Sequence, residues 1–339
     1  MYNKLISNIK PLGFMWGTTD PFLFCVHHLD NYPKGNDQLG PAASLEGRNL
    51  GQDFTTKDGW RMYHGETIPG FPAHPHRGFE TVTVVLNGFV DHSDSHGAAG
   101  RYGNGDVQWM TAGSGLQHAE MFPLLKKDEE NPLELFQIWL NLPKEKKFAK
   151  PFYTMLWAKD IPVVTEKDEN GRKTEVTLIA GKLNETAAPP PAPDSWAADP
   201  GNEVGIWLVK MGANAKWTVP PASLETERTL YFYRGNSIHV AGIKIEPYHS
   251  LEMLADQPVI IENGNDDAYL LLLQGKPINE PVVQHGPFVM NTAAEIRQAF
   301  SDYRETQFGG WPWNRHDNVH SPGKGRFAKY ADGRTEKPE

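Results

Sequence analysis

HPHRGFETVTVVLNG, residues 74–88, is the stretch on which the reading of this chain turns. His74 and His76 are two positions apart, and on extended backbone such residues share a face, so both imidazoles reach toward one point. Pro75 between them faces away and has no N–H to donate, which suits an edge strand. The run that follows, Thr81-Val82-Thr83-Val84-Val85-Leu86, is β-branched and stops at Asn87-Gly88, a strong hairpin signal. Phe89-Val90-Asp91-His92 is the expected return strand.

Working outward, the same device recurs about forty residues on. His118-Ala119-Glu120 again puts two ligating groups on one face, now an imidazole and a carboxylate. Two such pairs on neighbouring strands bring His74, His76, His118 and Glu120 onto a single ion as N and O donors. Four ligands on one side of an octahedron leave positions open for substrate or dioxygen. Between the pairs, Gly103-Asn104-Gly105-Asp106 marks a turn and Val107–Thr111 a strand. Leu133–Leu142 alternates as another. Strands this short and this closely spaced predict a sandwich or barrel.

Composition supports that class. The 339 residues include 32 glycines and 27 prolines, which favours many tight turns over a helical bundle, and the length makes two domains the working expectation. Hydrophobic residues at 39% and charged residues at 22% suit a globular protein with real cores. A formal net charge of −9 argues against direct nucleic-acid binding, which needs a basic field. Cys25 is the single cysteine, so no internal disulfide forms and a thiolate zinc site is excluded; its apolar neighbours Phe22, Leu23, Phe24 and Val26 read as a buried structural thiol. Met1–Gly13 carries no apolar run of signal-peptide or membrane-span length, so a cytoplasmic protein without membrane attachment is expected.

The second half is strand-rich again, with Glu175–Ala180, Gly205–Met211, Thr229–Tyr233 and Tyr269–Gln274 predicted as strands. Glu227 leading to Gly235 repeats the eight-residue span from Glu80 to Gly88, which favours two related barrels over one sheet. Counting back six and four residues from Glu227 reaches Pro221 and Ser223 where Glu80 has His74 and His76, so the second barrel is expected to be metal-free. Thr292 and Glu295 form a capping box ahead of Ile296, Ala299, Phe300 and Tyr303, predicting one helix over Ala293–Arg304. The expected division is a metal-binding barrel over 1–150, a second barrel with the helix over 151–308, and a tail over 309–339 whose last ten or so residues are mobile. The charged run Lys144-Glu145-Lys146-Lys147 reads as a solvated connector.

The remaining histidines carry plainer readings. His27 and His28 are adjacent, face opposite ways on a strand and are expected at the surface or in a turn. His92 and His96 lie near a turn and read as exposed, and His285 as a structural hydrogen-bonder. Trp311 and Trp313 are expected to pack the tail onto a barrel. No phosphate-binding loop, nucleophile elbow or dinucleotide fingerprint is present.

With these residues in view, a resemblance is plain. HPHRGFETVTVVLNG (74–88), GDVQWMTAGSGLQHAEM (105–121), LELFQIWLNLP (133–143) and PVVQHGPFVMNTAAEI (281–296) are similar to the pirin family of the cupin superfamily, and the resemblance covers nearly the whole chain. It implies an all-β fold of two stacked cupin barrels with a short C-terminal helix. It places one divalent ion in the N-terminal barrel, iron(II) by family habit with manganese, cobalt, nickel or zinc also compatible, on His74, His76, His118 and Glu120. It implies ring-opening of a flavonol such as quercetin by dioxygen, with Glu120 as the catalytic base and Gln108 or Gln137 supplying hydrogen bonds behind the ligands. The other role it implies is a redox-sensitive regulatory protein that binds a transcription factor or metabolic enzyme. Between Asp20-Pro21-Phe22 and His74 the chain is longer than the family pattern, through a charged, glycine-rich insertion within 27–70.

Overall fold

The computed structural model describes residues 4–338. It is built almost wholly from strands, with one α-helix, Ala293–Thr306. Its residues group into two compact units: Val26–Ala158 with Glu280–Glu339, and Met1–Cys25 with Lys159–Asn279.

The first unit is a two-sheet cupin barrel. One sheet orders the strands Phe152–Leu156, Val107–Thr111, Phe79–Asn87, Asn131–Asn141 and Phe22–Tyr32. The facing sheet orders Phe327–Lys329, Ala99–Gly103, Phe89–Asp94, Leu116–Met121 and Gly70–His76. The hairpin read at Asn87-Gly88 is therefore a corner. Phe79–Asn87 pairs with Val107–Thr111 and Asn131–Asn141, whereas Phe89–Asp94 pairs with Ala99–Gly103 and Leu116–Met121. Gly88, at φ 82°, turns the chain out of one sheet and into the other. Local turn chemistry specifies a reversal; burying both apolar strand faces inside one barrel decides which sheet receives the next strand.

The second unit repeats the topology. Lys216–Val219, Glu227–Arg234, Ile238–Val240, Ile243–Ile245, His249–Met253, Val259–Asn263 and Ala268–Gly275 alternate between two sheets in the order seen from Gly70–His76 to Asn131–Asn141. In both units the strands run Val/Leu/Ile/aromatic-rich with buried faces, the pattern of a packed barrel. Among the described residues no helix is long and apolar enough to cross a membrane.

A cut near residue 150 misses two features of the connectivity. Ile6–Pro11 pairs with His249–Met253 in the second barrel, while the helix and tail belong to the first. A short apolar strand does not state which sheet edge it will join. The helix itself starts where the capping box puts it, with Thr292 Oγ1 accepting from the Glu295 amide, and buries Ile296 and Ala299.

From Trp313 to Lys329 the tail is built into the first barrel. Phe327–Lys329 pairs with Ala99–Gly103, and Phe327 and Ala328 are fully buried. Trp313 Nε1 donates to Asp94 O at 2.8 Å, as expected of a packing tryptophan. The Arg101 guanidinium, fully buried, holds Asp91 bidentately at 2.7 Å and donates to His320 O. Lys147, read as part of a solvated run, is also buried, its Nζ bonded to Gly78 O at 2.8 Å and Asn141 Oδ1 at 2.6 Å.

Candidate metal centre

The strand Gly70–His76 pairs antiparallel with Leu116–Met121 so that His74 and His118 are Cα partners, as are His76 and Leu116. Directly opposed residues project to the same side. The rings of His74 and His76 have centroids 4.8 Å apart, those of His74 and His118 4.5 Å, and those of His76 and His118 4.9 Å. One nitrogen from each lies within 4.8 Å of the others. Gly70 lets the strand begin this close: at φ 131°, a Cβ there would stand 2.5 Å from Glu120 O.

The hydrogen bonds set the tautomers. His74 Nδ1 sits 2.8 Å from Pro72 O and His76 Nδ1 3.3 Å from Pro287 O. A carbonyl only accepts, so each neutral ring carries its proton on Nδ1 and keeps the Nε2 lone pair. His118 differs: it is fully buried and neither ring nitrogen has a hydrogen-bond partner. Burial is the main cause holding all three imidazoles below their usual range, His74 down at about 4 and the other two further. They therefore stand as neutral donors.

Glu120, at the next inward position of its strand, stands beside His118 but outside the group in which the three imidazoles lie within 4.8 Å of one another. Its Oε2 is 3.8 Å from His118 Nε2. The carboxylate is held by Thr83 Oγ1 at 2.8 Å, Tyr102 OH at 3.3 Å and Gln137 Nε2 at 3.1 Å. Burial pushes its carboxyl up, and those hydrogen bonds pull it partly back. Thr83 Oγ1 is also 2.6 Å from Gln137 Oε1, so one hydroxyl proton stands between two acceptors. Gln108 Oε1, 3.4 Å from the Tyr102 hydroxyl, is the alternative acceptor for that hydroxyl's single proton.

Gln108, Thr83 and Gln137 are register partners across three adjacent strands. Aligning the barrels on Glu80 and Glu227, the corresponding row in the second is Leu251, Leu230 and Leu272, all buried in its apolar core. The strand topologically matching Gly70–His76 is Lys216–Val219, whose buried Trp217 and Val219 oppose Ile261 and Val259. These four side chains offer no imidazole or carboxylate. Counting back from Glu227 to Pro221 and Ser223 lands in the loop beyond that strand, where Ser223 Oγ bonds Glu203. One topology thus carries a polar interior in one unit and a hydrocarbon interior in the other.

Several histidines stand elsewhere than their spacing suggested. His92 is fully buried, not exposed: it is the register partner of Glu120, its ring lies 5.6 Å from His118, and it stacks parallel to Tyr153 at 5.0 Å. Its place two residues after Val90 on a strand was the available signal. His27 and His28 belong to the strand Phe22–Tyr32 with little exposure; His27 faces Glu134 at 3.0 Å and His28 faces Tyr63 OH at 2.7 Å. His285 is exposed and meets Phe300 edge-on. A cavity of about 100 Å³ in this unit, lined by Tyr32, Asn87, Phe89, Phe122 and Leu133 among others, touches none of the three imidazoles. The site rests on its converging donors.

Comparison with known proteins agrees with this architecture. The family described as Pirin matches residues 18–140, and the Pirin C-terminal cupin domain matches residues 206–309. A Pseudomonas aeruginosa protein with a provisional quercetin 2,3-dioxygenase name is 37% identical over 240 residues, 70% of this chain and 79% of its own. Human pirin is 35% identical over 254 residues, 73% and 80% of the two chains. The crystal structure of quercetin 2,3-dioxygenase from Acinetobacter baumannii superimposes with a TM-score of 0.70 at 27% identity, covering 90% of this chain and 98% of that one. Two cupin barrels with these matches along both make the chain a member of the pirin family.

Proposed function

We propose that this chain is a metal-dependent oxygenase of the quercetin 2,3-dioxygenase type, with one divalent ion held by His74, His76, His118 and Glu120. The observation that carries the reading is His118, a buried imidazole with two unpartnered nitrogens between two further imidazoles. A buried polar group without a partner is costly, and an ion at that point relieves the cost. Three nitrogens and one oxygen fit iron(II), our choice from the family resemblance, and accept manganese, cobalt, nickel or zinc. The similarity to a solved quercetin 2,3-dioxygenase supports the substrate class.

The ion supplies Lewis acidity toward a flavonol hydroxyl and redox access to dioxygen. The chain supplies the rest. Pro72 O and Pro287 O fix the His74 and His76 rings with Nε2 available. Glu120, beside His118 and held by Thr83, Tyr102 and Gln137, accepts the substrate proton. Protonated at Oε1, Glu120 donates to Thr83 Oγ1, and the Thr83 hydroxyl turns its own proton to Gln137 Oε1, so the proton is held without leaving an acceptor unserved. The enclosing strands exclude water from His118, which is fully buried.

The test is oxygen uptake by anaerobically iron-loaded protein mixed with quercetin and then admitted to air. The reading expects oxygen-dependent loss of the flavonol with release of carbon monoxide, absent in His118→Ala. No turnover of quercetin or of any other flavonol with any of the five metals overturns it.

A further inference from the structure

Of the four candidate ligands only His74 is partly exposed. His76, His118 and Glu120 are 3%, 0% and 5% exposed, while His74 is half-buried, so a ligand reaches the centre past His74. What stands beyond His74 is aromatic. Phe71 lies 6.3 Å from the His74 ring, His64 5.7 Å from Phe71, and Phe54 4.9 Å from His64, with Phe54 also 6.4 Å from Phe71. Exposure rises along this series: Phe71 is half-buried, and Phe54 and His64 are exposed. Phe54 and His64 both come from the long connection between the strands Phe22–Tyr32 and Gly70–His76, where the chain is expected to exceed the family pattern.

These rings are held in place. Asp53 and Tyr63 exchange backbone hydrogen bonds at 2.8 and 3.0 Å, fixing the residues that immediately precede Phe54 and His64. Asp53 Oδ2 accepts from the Met62 amide at 2.9 Å and from Arg48, whose guanidinium lies 3.3 Å from the centroid of Trp60. His64 Nδ1 sits 2.7 Å from Gly51 O, which puts the neutral ring's proton on Nδ1 and leaves Nε2 as an acceptor. Exposed aromatic rings pre-ordered beside a site opening, with one hydrogen-bond acceptor among them, match a flat ring that carries hydroxyl groups.

We propose that Phe54, His64 and Phe71 form an aromatic clamp for a planar polyphenol at the mouth of the metal centre, Phe54 and Phe71 packing on its rings and His64 Nε2 accepting from a phenolic hydroxyl. The clamp rests on the oxygenase reading for its substrate class, and it makes that connection a specificity element.

Quercetin is the probe, with binding read by quenching of tryptophan fluorescence on metal-loaded protein and turnover by oxygen uptake. Phe54→Ala and His64→Ala each weaken quercetin binding about three- to tenfold, the range of one aromatic contact, and raise KM in step with little change in kcat. Phe54→Trp restores binding, and metal content and Tm stay at the wild-type value in all three variants. Unchanged binding in the Phe54→Ala/His64→Ala double variant, or no quercetin binding by the wild type, overturns the clamp. Binding weakened by these substitutions in a protein that consumes no oxygen retains the clamp and overturns the oxygenase reading. Oxygen uptake with an unchanged KM in the double variant does the reverse.

Discussion

His74 and His118 are register partners on adjacent antiparallel strands, and their rings stand 4.5 Å apart although nothing bonds them to each other. Two neutral imidazoles brought together at a tilt of 54° in a barrel wall, one of them with no hydrogen bond at either nitrogen, are a pair missing a third party. The consequences of that arrangement are measurable.

Thr83→Val removes the hydroxyl that holds Glu120 Oε1 and nothing from the imidazoles. A residue that orients a ligand in this way contributes about ten- to a hundredfold in metal affinity. We expect a loss of that size in competition against a chelator, with three-imidazole binding surviving. An unchanged affinity would show that Glu120 is positioned without Thr83.

Gly70→Ala places a Cβ 2.5 Å from Glu120 O at a backbone φ of 131°. The metal-bearing strand must move or the fold must strain, at a cost of at least about 1–3 kcal/mol. Denaturant unfolding should show that loss together with weakened metal binding. Retention of both would mean that the approach of the two strands is slack.

Arg101→Met leaves the fully buried Asp91 without its bidentate partner, though the His320 amide still donates to it. Removing one side of a buried pair costs about 3–5 kcal/mol. Because Arg101 also donates to His320 O and Ser321 O, the tail should loosen as well, seen as faster amide exchange over residues 318–330. A change under about 1 kcal/mol, the range of a surface ion pair, would contradict the buried placement.

Stability of the metal-free protein should fall with acid. His28 and His74 are held down at about 3 and about 4 from an ordinary 6.5, and burial lowers His76, His118 and His320 as well. The folded state keeps these rings neutral while the unfolded chain takes up protons below 6.5, so their contribution is complete above that pH. It is lost as pH falls toward the folded values, by up to about 1.4 kcal/mol per pH unit for each ring. Asp30 and Glu120, whose carboxyls burial pushes up, offset part of the loss. Urea midpoints at about pH 7.5 and about pH 5.5 check the sign, which a higher midpoint at the lower pH would reverse.

The convergence of His74, His76 and His118 was legible because its chemistry is local. Two i, i+2 pairs need only extended backbone to present their groups together, and the β-branched run at Thr81–Leu86 guaranteed extended backbone nearby. The helix was legible for the same reason, since Thr292 and Glu295 satisfy each other within one turn. What sequence spacing missed depends on which sheet a strand joins. The corner at Gly88 sends Phe89–Asp94 to the facing sheet, and only that placement buries His92 against Tyr153 and sets it opposite Glu120. The tail's order rests on partners more than two hundred residues away, such as His320 with Asp91. The part that the connection from Tyr32 to Gly70 plays in the mouth rests on Phe54 and His64 meeting Phe71 across a gap that no periodicity records.

Element analysis of protein purified without added metal, repeated on His118→Ala, tests the central claim most directly. The account predicts one equivalent of a first-row transition metal per chain in the wild type, and in the variant a large loss of that metal with the fold retained by circular dichroism. A wild-type protein that holds no stoichiometric metal even after loading, or a His118→Ala variant that holds it as tightly, would contradict the account.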